Sequence, residues 1–175
     1  MNTQPPGRHR VLVVGGGAGG LELATRLGDR LRGQVDVTLV DRNRTHVWKP
    51  KLHEIAAGSM DLSEHEVDYL AQAHWHHFRY RVGEMVGLDR ERREVWLAPT
   101  FDEAGREVTP RRAFPYDTLV IAVGSQSNDF GTPGVTEHAL KLESQTDARR
   151  FHARMVNACI RAHAQATPGV PKSLL

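Results

Sequence analysis

The stretch "RVLVVGGGAGGLELATRL", residues 10–27, decides the fold. It opens with a short run of β-branched and apolar residues bounded by glycine, which is typical of a strand buried on both faces of a parallel sheet. It continues with leucines at helical spacing, Leu23 and Leu27, which predict an amphipathic helix ending near Gly33. The sequence therefore predicts a central strand, a glycine-rich turn and a helix in direct succession.

A second strand completes this unit. Residues 35–40, "VDVTLV", alternate in character and end at Asp41. Since a strand, helix and strand of this kind form a right-handed crossover almost without exception, we expect the two strands to be parallel neighbours. The prediction is an α/β, Rossmann-like domain with a central parallel sheet and helices on both faces.

The middle of the chain is predicted to add an antiparallel hairpin or meander. A loop over 41–58 comes first, followed by a helix over 63–73, because Ser63 and Glu66 have capping-box spacing. Segments of strand composition separated by polar turns then follow. They lie at residues 77–82, 85–89 and 94–98, and the segment 114–124 ends in a further strand of the buried type.

The last predicted element is a helix that begins at Ser144, three residues before Asp147 in a cap-like arrangement. Its apolar stripe consists of Ala148, Phe151, Met155, Ala158 and Ala162. The predicted organisation is a flexible tail over 1–9, the Rossmann-like domain over 10–143, a connecting amphipathic helix over 144–166 and a truncated linker over 167–175.

Composition narrows the class of protein. The chain has 175 residues, 39% of them hydrophobic and 25% charged, which is ordinary for a soluble globular domain. The net charge of +2 comes without a basic block, so no nucleic-acid partner is predicted. The apolar runs are too short for a membrane-spanning helix, and the start of the chain lacks a secretory signal. We therefore expect a cytoplasmic protein.

The glycines predict a dinucleotide cradle. Gly15, Gly17 and Gly20 have G-x-G-x-x-G spacing between the strand and the helix. The first allows a tight turn, the second lets the backbone approach a pyrophosphate, and the third lets the helix pack close to the strand. The amides that open the helix would donate to the phosphates. Asp41 would accept hydrogen bonds from the adenosine ribose.

The glycine turn and Asp41 alone do not show which dinucleotide is bound. The carboxylate of Asp41 would repel the 2′-phosphate of NADP, although Arg42 and Arg44 soften this argument. FAD and NAD share the ADP half that such a turn contacts, so both stay open on these residues. The alternative to an enzyme is a non-enzymatic dinucleotide-binding module or redox sensor that binds NAD or ADP.

The order of several motifs resembles one family. The motifs are "VLVVGGGAGGLELA", "VTLVDRN", "HVWKPKLHEIAAG", "VGEMVGLDRERREVWL" and "FPYDTLVIAVGSQSNDFGTPGVTEHALKL". Together, from about residue 10 to 165, they look like the amino-terminal FAD-binding half of type II NADH:quinone oxidoreductases. These enzymes belong to the larger flavin and pyridine-nucleotide-disulfide oxidoreductase class. The resemblance implies FAD as cofactor.

The resemblance also implies which residues contact FAD. Pro50 and Lys51 fall in the segment that passes beside the isoalloxazine ring, with Lys51 in place of a leucine of the family motif. The backbone near Met85 would meet the adenine, and Val123 replaces the threonine of the family's A-T-G stretch. The implied cofactor-binding residues are Gly15, Gly17, Ala18, Gly19, Gly20, Asp41, Arg42, Pro50, Lys51, Met85, Ala122 and Gly124.

The resemblance further implies the activity of a full-length enzyme, a FAD-dependent NADH dehydrogenase that passes hydride from NADH to FAD and electrons to a quinone. No residue of this chain is expected to be catalytic, since the chemistry would belong to FAD. The NADH domain and quinone site would follow residue 175. We therefore expect a fragment that does not oxidise NADH and holds FAD weakly or not at all. A homodimer and peripheral contact with the inner face of the cell membrane are compatible with the family.

Other side-chain patterns are interpreted structurally. Cys159 is the single cysteine, which excludes dithiol chemistry within the chain, and it is expected in the core of the last helix. His74, His76 and His77 lack the further ligands of a tetrahedral site, so no metal is predicted. His46 flanks the presumed flavin loop.

For His46 and for His53 on the other side of that loop, a structural role is favoured over a proton relay.

The last helix is also rich in arginine, and binding to an anionic lipid surface is the alternative to packing on the domain. Its arginines are Arg149, Arg150, Arg154 and Arg161.

Overall fold

Strands and helices alternate at the start of the chain, and short strands fill its middle. The computed structural model describes residues 7–61 and 65–164. The strands are β1 (His9–Val14), β2 (Val35–Asp41), β3 (Thr45–His46), β4 (Val67–Asp68), β5 (Arg79–Val82), β6 (Met85–Asp89), β7 (Glu94–Leu97), β8 (Thr100–Phe101), β9 (Glu107–Thr109), β10 (Arg112–Pro115) and β11 (Thr118–Ile121). The helices are α1 (Ala18–Leu31), α2 (Leu52–Ala57), α3 (Tyr69–Trp75), α4 (Val135–His138) and α5 (Gln145–Ala164), with a 3₁₀ turn at Lys49–Lys51.

These elements fall into two compact units. The first unit comprises residues 1–46 and 67–124, and the second comprises residues 47–66 and 125–175. The first unit contains the glycine-rich turn and all the strands, and the second contains α2, α4 and α5.

A four-stranded parallel sheet is the centre of the first unit. Its order is β11-β1-β2-β5, and β1 pairs with both β11 and β2 in parallel register. The predicted central strand and its parallel neighbour are therefore confirmed. Strand β11 was expected to be buried, but its residues are half-buried or exposed because it lies at one edge of this sheet.

The two faces of the parallel sheet are covered differently. Val13 and Leu39 face α1 and α3 on one side. Leu12 and Val40 face Val95 of the antiparallel sheet β10-β7-β6 on the other. The α/β, Rossmann-like class with an added meander is thus confirmed. The expectation of helices on both faces was wrong for this unit, because the alternating apolar residues of β7 supply the second layer.

Helix α2 occupies part of the predicted loop 41–58. Leu52, Ile55 and Ala56 lie on one face of it and are buried against Ala148 of α5. Gly58 ends the helix in the left-handed conformation, with φ of 77°. The apolar spacing and this glycine were the available signals for a helix, and the proline at position 50 only disfavours regular structure before it.

Helix α3 begins later than predicted. The predicted helix 63–73 is observed as Tyr69–Trp75, and its first amides are capped by Asp68, which accepts from the Ala71 N–H at 2.8 Å. Ser63, one half of the predicted capping box, lies outside the described residues. The following strand starts only at Arg79, after His77 with its positive φ of 57°.

Helix α5 has the predicted cap. The Ser144 hydroxyl donates to Asp147 at 2.7 Å, and the Asp147 N–H donates back to the Ser144 hydroxyl at 3.2 Å. Cys159, however, is exposed rather than buried, because it lies beside buried Ala158 on the outward side of the helix. The predicted tail over 1–9 and linker over 167–175 fall largely or wholly outside the described residues.

Across residues 7–61 and 65–164, no helix is both long enough and apolar enough to span a bilayer.

Gly28 of α1 provides a test of the packing in the first unit. A Cβ at this position would collide with the His76 backbone carbonyl, and backbone cannot move aside as a flexible side chain could. Gly28→Ala is therefore expected to lower the free energy of unfolding by about 3 kcal/mol, measured by urea denaturation. The matched control is Gly87→Ala, whose Cβ would meet Trp96 at an ordinary 3.5 Å. Equal denaturation midpoints for the two variants would contradict this packing.

Candidate functional site

The glycine-rich turn lies at the carboxyl edge of the parallel sheet. The Gly15 N–H donates to the Val40 carbonyl at 2.7 Å, which extends the β1–β2 ladder by one bond before the chain leaves the sheet. Helix α1 starts directly afterwards at Ala18. Ligands of open α/β sheets bind at this edge, outside the carboxyl ends of the strands.

Two of the glycines are required by the fold itself. Gly15 has φ of 105°, and a Cβ there would overlap the backbone of Ala122 and Val123. Gly20 faces the Gly15 carbonyl oxygen so closely that a Cβ would collide with it. The tight turn and the close approach of helix to strand, predicted for the first and third glycines of the motif, are both present.

Gly17, the second glycine of the motif, and Gly19, at one of its free positions, face open space. A Cβ at either position would meet nothing within 4 Å among the described residues. Gly17 is the N-cap of α1 with an ordinary φ of −62°, so neither packing nor backbone conformation demands glycine there. No side chain caps the helix, and its first turn carries no acid, which leaves its amides free to donate to an anion. The turn is thus a cradle that a side chain would fill.

Asp41 points at this turn. Its Oδ2 accepts the Gly16 N–H at 2.7 Å, and its Oδ1 accepts the Asn43 N–H at 2.8 Å. Each carboxylate oxygen has a second lone-pair direction, so hydrogen bonds from a ribose remain possible in chemical terms. Arg42, next in the chain, is exposed. The sequence placed the carboxylate correctly at the strand end but missed its role in holding the turn.

Two tyrosines that the sequence analysis did not single out complete the surroundings of the turn. Tyr69, 2% exposed, donates its hydroxyl to the Gly16 carbonyl at 2.6 Å. Its ring stacks on Tyr80 with centroids 5.1 Å apart, and the Tyr80 hydroxyl donates to the Asn43 carbonyl. Burial raises the pKa of Tyr80 to about 12, so the phenol stays a donor. No short motif marks either tyrosine, because they reach the turn only through tertiary folding.

Two further segments that contain predicted site residues, one with Met85 and one with Ala122 and Gly124, lie at the same carboxyl edge of the parallel sheet. The Gly83 N–H donates to the Asp41 carbonyl at 2.9 Å, which places the start of β6, with Met85, directly after this contact. The Ala122 N–H donates to the Val14 carbonyl at 2.7 Å, just below the turn. Gly124 follows as the last residue of the first unit.

Pro50 and Lys51 belong to the second unit. Pro50 lies within the 3₁₀ turn that leads into α2. The Lys51 ammonium is 3.0 Å from a carboxylate oxygen of Glu54, one helical turn away. Lys51, the cation that departs from the family motif, therefore has a counter-charge on the adjoining helix α2.

The histidine cluster shows no metal-binding geometry within the part of the chain that the structure describes. His76 instead lies 2.9 Å from Asp29 through its Nδ1. His74 packs edge-on against Trp75 at the end of α3. His53 is exposed on α2, with Glu54 at 4.0 Å.

His46 faces the glycine turn from β3. Its ring centroid lies 6.4 Å from that of Tyr69. Burial lowers the pKa of His46, while the nearby Asp41 carboxylate and the Gly16 backbone oppose this shift. The fold therefore favours the neutral imidazole more than free solution does.

The chain is similar in sequence to one known family and to several of its members. The family model for pyridine nucleotide-disulphide oxidoreductases matches residues 9–164. The chain is 47% identical over 148 residues to the type II NADH:quinone oxidoreductase of Haemophilus influenzae, covering 83% of this chain and 33% of that protein. It is 30% identical over 155 residues to the type II NADH:quinone oxidoreductase NdhA of Mycobacterium tuberculosis, covering 87% and 30%.

A solved structure shows the same fold. NDH2 from Plasmodium falciparum in complex with NADH superposes with a TM-score of 0.74 at 18% identity, covering 94% of this chain and 31% of that one. The chain thus spans about a third of the length of the curated relatives and of the structure that it matches.

The His46 environment predicts a pH dependence of stability. Its folded-state pKa lies below the ordinary value of 6.5, so the stability it contributes is complete above that value and is lost as the pH falls below it. Acidification from about pH 7.5 to 5.5 is expected to cost the wild type more unfolding free energy than His46→Gln. Urea denaturation at both pH values measures this difference, in which the other histidines cancel. An equal or larger loss in the variant would show that protonation of His46 does not oppose folding.

Proposed function

The chain belongs to the pyridine nucleotide-disulphide oxidoreductase family, and we propose that it forms the FAD-binding part of a type II NADH:quinone oxidoreductase. The name of the Haemophilus influenzae relative, at 47% identity, supports the choice within the family. We also propose that the whole protein takes NADH as the electron donor and a quinone as the acceptor. Peripheral contact with the cytoplasmic face of the membrane and a homodimer stay predictions.

The observation that carries this proposal is the open side of the glycine turn. Gly15 and Gly20 are needed by the protein backbone, whereas a Cβ on Gly17 or Gly19 would meet no neighbour within 4 Å among the described residues. Glycine in an unstrained, uncrowded position at a helix start loses conformational entropy without gaining any contact. A pyrophosphate against the amides gives the missing reason, since only glycine allows the backbone to come so close.

The residues of the first unit fit the ADP half of FAD. The amides of Ala18 and Gly19 would meet the pyrophosphate, and Asp41 would accept from the adenosine ribose with the lone pairs that the backbone leaves unused. We propose that the backbone at Met85 lies against the adenine. When bound, FAD would supply the hydride and electron transfer, and the protein would hold and orient it.

The remaining proposed contacts concern the isoalloxazine half. Ala122 and Gly124 follow the edge strand β11 directly beside Gly15, where backbone groups of both segments are close enough to exclude a side chain. Pro50 and Lys51 are proposed to contact the ring through their backbone, since the Lys51 ammonium already has Glu54 as its partner.

Gly17→Ala tests the pyrophosphate site. The added methyl group would occupy the open side of the turn, so the dissociation constant for FAD is expected to rise by about 10- to 100-fold. The fold itself should lose no more than about 1 kcal/mol, the usual difference between glycine and alanine at an N-cap. Flavin fluorescence titration measures binding, and urea denaturation measures stability.

Gly87→Ala is the matched control for this titration, since it adds the same methyl group in β6 at an ordinary distance from its neighbours. It should bind FAD like the wild type. Unchanged FAD affinity in Gly17→Ala would place the pyrophosphate elsewhere.

The choice of FAD is tested by comparing ligands on the same chain. Thermal shifts with FAD, ADP and NAD should show stabilisation by FAD at least equal to that by ADP, with NAD weaker. Preferential stabilisation by NAD would support a non-enzymatic NAD-binding module instead.

A further inference from the structure

The Tyr69 hydroxyl donates to the Gly16 carbonyl, and its side chain is almost fully buried. It opens α3, which is anchored by its Asp68 cap, and its ring is held by stacking on Tyr80. The hydroxyl to Gly16 carbonyl distance is 2.6 Å. Burial raises the pKa of Tyr69, so the hydroxyl keeps its proton and acts as a fixed donor.

The direction of one peptide plane follows from this bond. All peptides among the described residues are trans, and in a trans peptide the C=O and N–H groups point in opposite directions. The Gly16 carbonyl points inward to Tyr69, so the Gly17 N–H of the same peptide points outward. A Cβ on Gly17 would meet nothing within 4 Å among the described residues, so the space around this residue is open.

The preceding peptide plane is fixed in a similar way. The Gly16 N–H points to Asp41, so the Gly15 carbonyl of that peptide points oppositely, toward Gly20. Two side chains from distant segments thus hold two successive peptides of a glycine run. Such a run would otherwise sample many backbone conformations, and ordering it on binding would weaken ligand affinity.

Tyr69 also explains a glycine that the dinucleotide motif does not require. Position 16 is a free position in G-x-G-x-x-G, yet a Cβ there would overlap the Tyr69 hydroxyl and ring. Gly16, the second glycine of the "GGG" run, is therefore matched to the tyrosine rather than to a ligand.

From this geometry we infer that Tyr69 is a positioning residue for the cofactor: through the Gly16 carbonyl it aims the Gly17 N–H at the pyrophosphate. The inference rests on the proposed function only for the identity of the ligand. The orientation of the Gly16–Gly17 peptide is a property of the protein without ligand. A Tyr69 that only fills the core would act through its ring and not through its hydroxyl.

The test is Tyr69→Phe, which keeps the ring and removes the hydroxyl. The matched control is Tyr80→Phe, which removes the hydroxyl of the stacking partner and its hydrogen bonds to the backbone carbonyls of Asn43 and, at 3.4 Å, Asp41, while leaving both Gly16 contacts in place. Both variants of the 175-residue chain are compared with the wild type for urea stability, for the ¹⁵N and ¹H amide signals of Gly16 and Gly17 without ligand, and for dissociation constants of ADP and FAD.

We expect the two variants to lose similar stability. Tyr69→Phe should shift the Gly17 amide signal, speed its hydrogen exchange and raise the dissociation constants of ADP and FAD about tenfold. The effect should stop short of complete loss, because the Asp41 carboxylate still holds the Gly16 N–H. Tyr80→Phe should leave the Gly17 signal and both dissociation constants within about twofold of the wild type.

Two outcomes would overturn the inference. One is an unchanged Gly17 amide signal in Tyr69→Phe; the other is an equal loss of affinity in both variants, which would indicate a merely structural tyrosine. Failure of the wild type to bind ADP, which needs only the proposed contacts of the first unit, would refute the proposed function for this chain. The ligand-free amide signals would then still decide whether Tyr69 orients the turn.

Discussion

The hydrogen bond from the Gly16 N–H to the Asp41 carboxylate is the interaction on which the site depends. Because Val14 and Val40 are paired in parallel register, strands β1 and β2 end side by side. The Gly15 N–H still finds a backbone carbonyl, that of Val40, but the next N–H has left the ladder. The Asp41 side chain takes the place of the missing carbonyl. The chain can therefore turn into α1 without leaving a buried donor unpaired, an omission that would cost free energy.

Glycine is required for different physical reasons at the five glycine positions of the turn. Gly15 and Gly20 are set by close backbone contacts, and Gly16 by the ring and hydroxyl of Tyr69. Gly17 and Gly19 are set by none of these, which is why they indicate a ligand. In a sequence motif, glycines needed for folding cannot be told from glycines needed for binding. The atoms that an added Cβ would meet in the structure distinguish the two kinds of glycine.

The parts of the structure that the sequence predicted are those set by local pattern. Apolar runs, helical spacing and the glycine turn gave β1, α1 and β2 and brought Asp41 to the turn. Tyr69 was missed because its contact with Gly16 joins residues far apart in the chain, and no periodicity encodes such a contact. The same holds for the second layer of the sheet: the alternation in β7 predicted a strand but could not show that its apolar side covers Leu12 and Val40.

The surroundings of Lys51 depend on helix α2, which was not predicted. Residues 41–58 were predicted to form a loop, in which Lys51 stands where the family motif has a leucine. Once Leu52, Ile55 and Ala56 bury one face against α5, the segment is helical and Glu54 lies one turn from Lys51. Such an exposed pair adds little stability, but it cancels the charge locally. Lysine in place of leucine therefore changes the length and polarity of a side chain in this segment. Glu54 offsets the positive charge that the lysine adds.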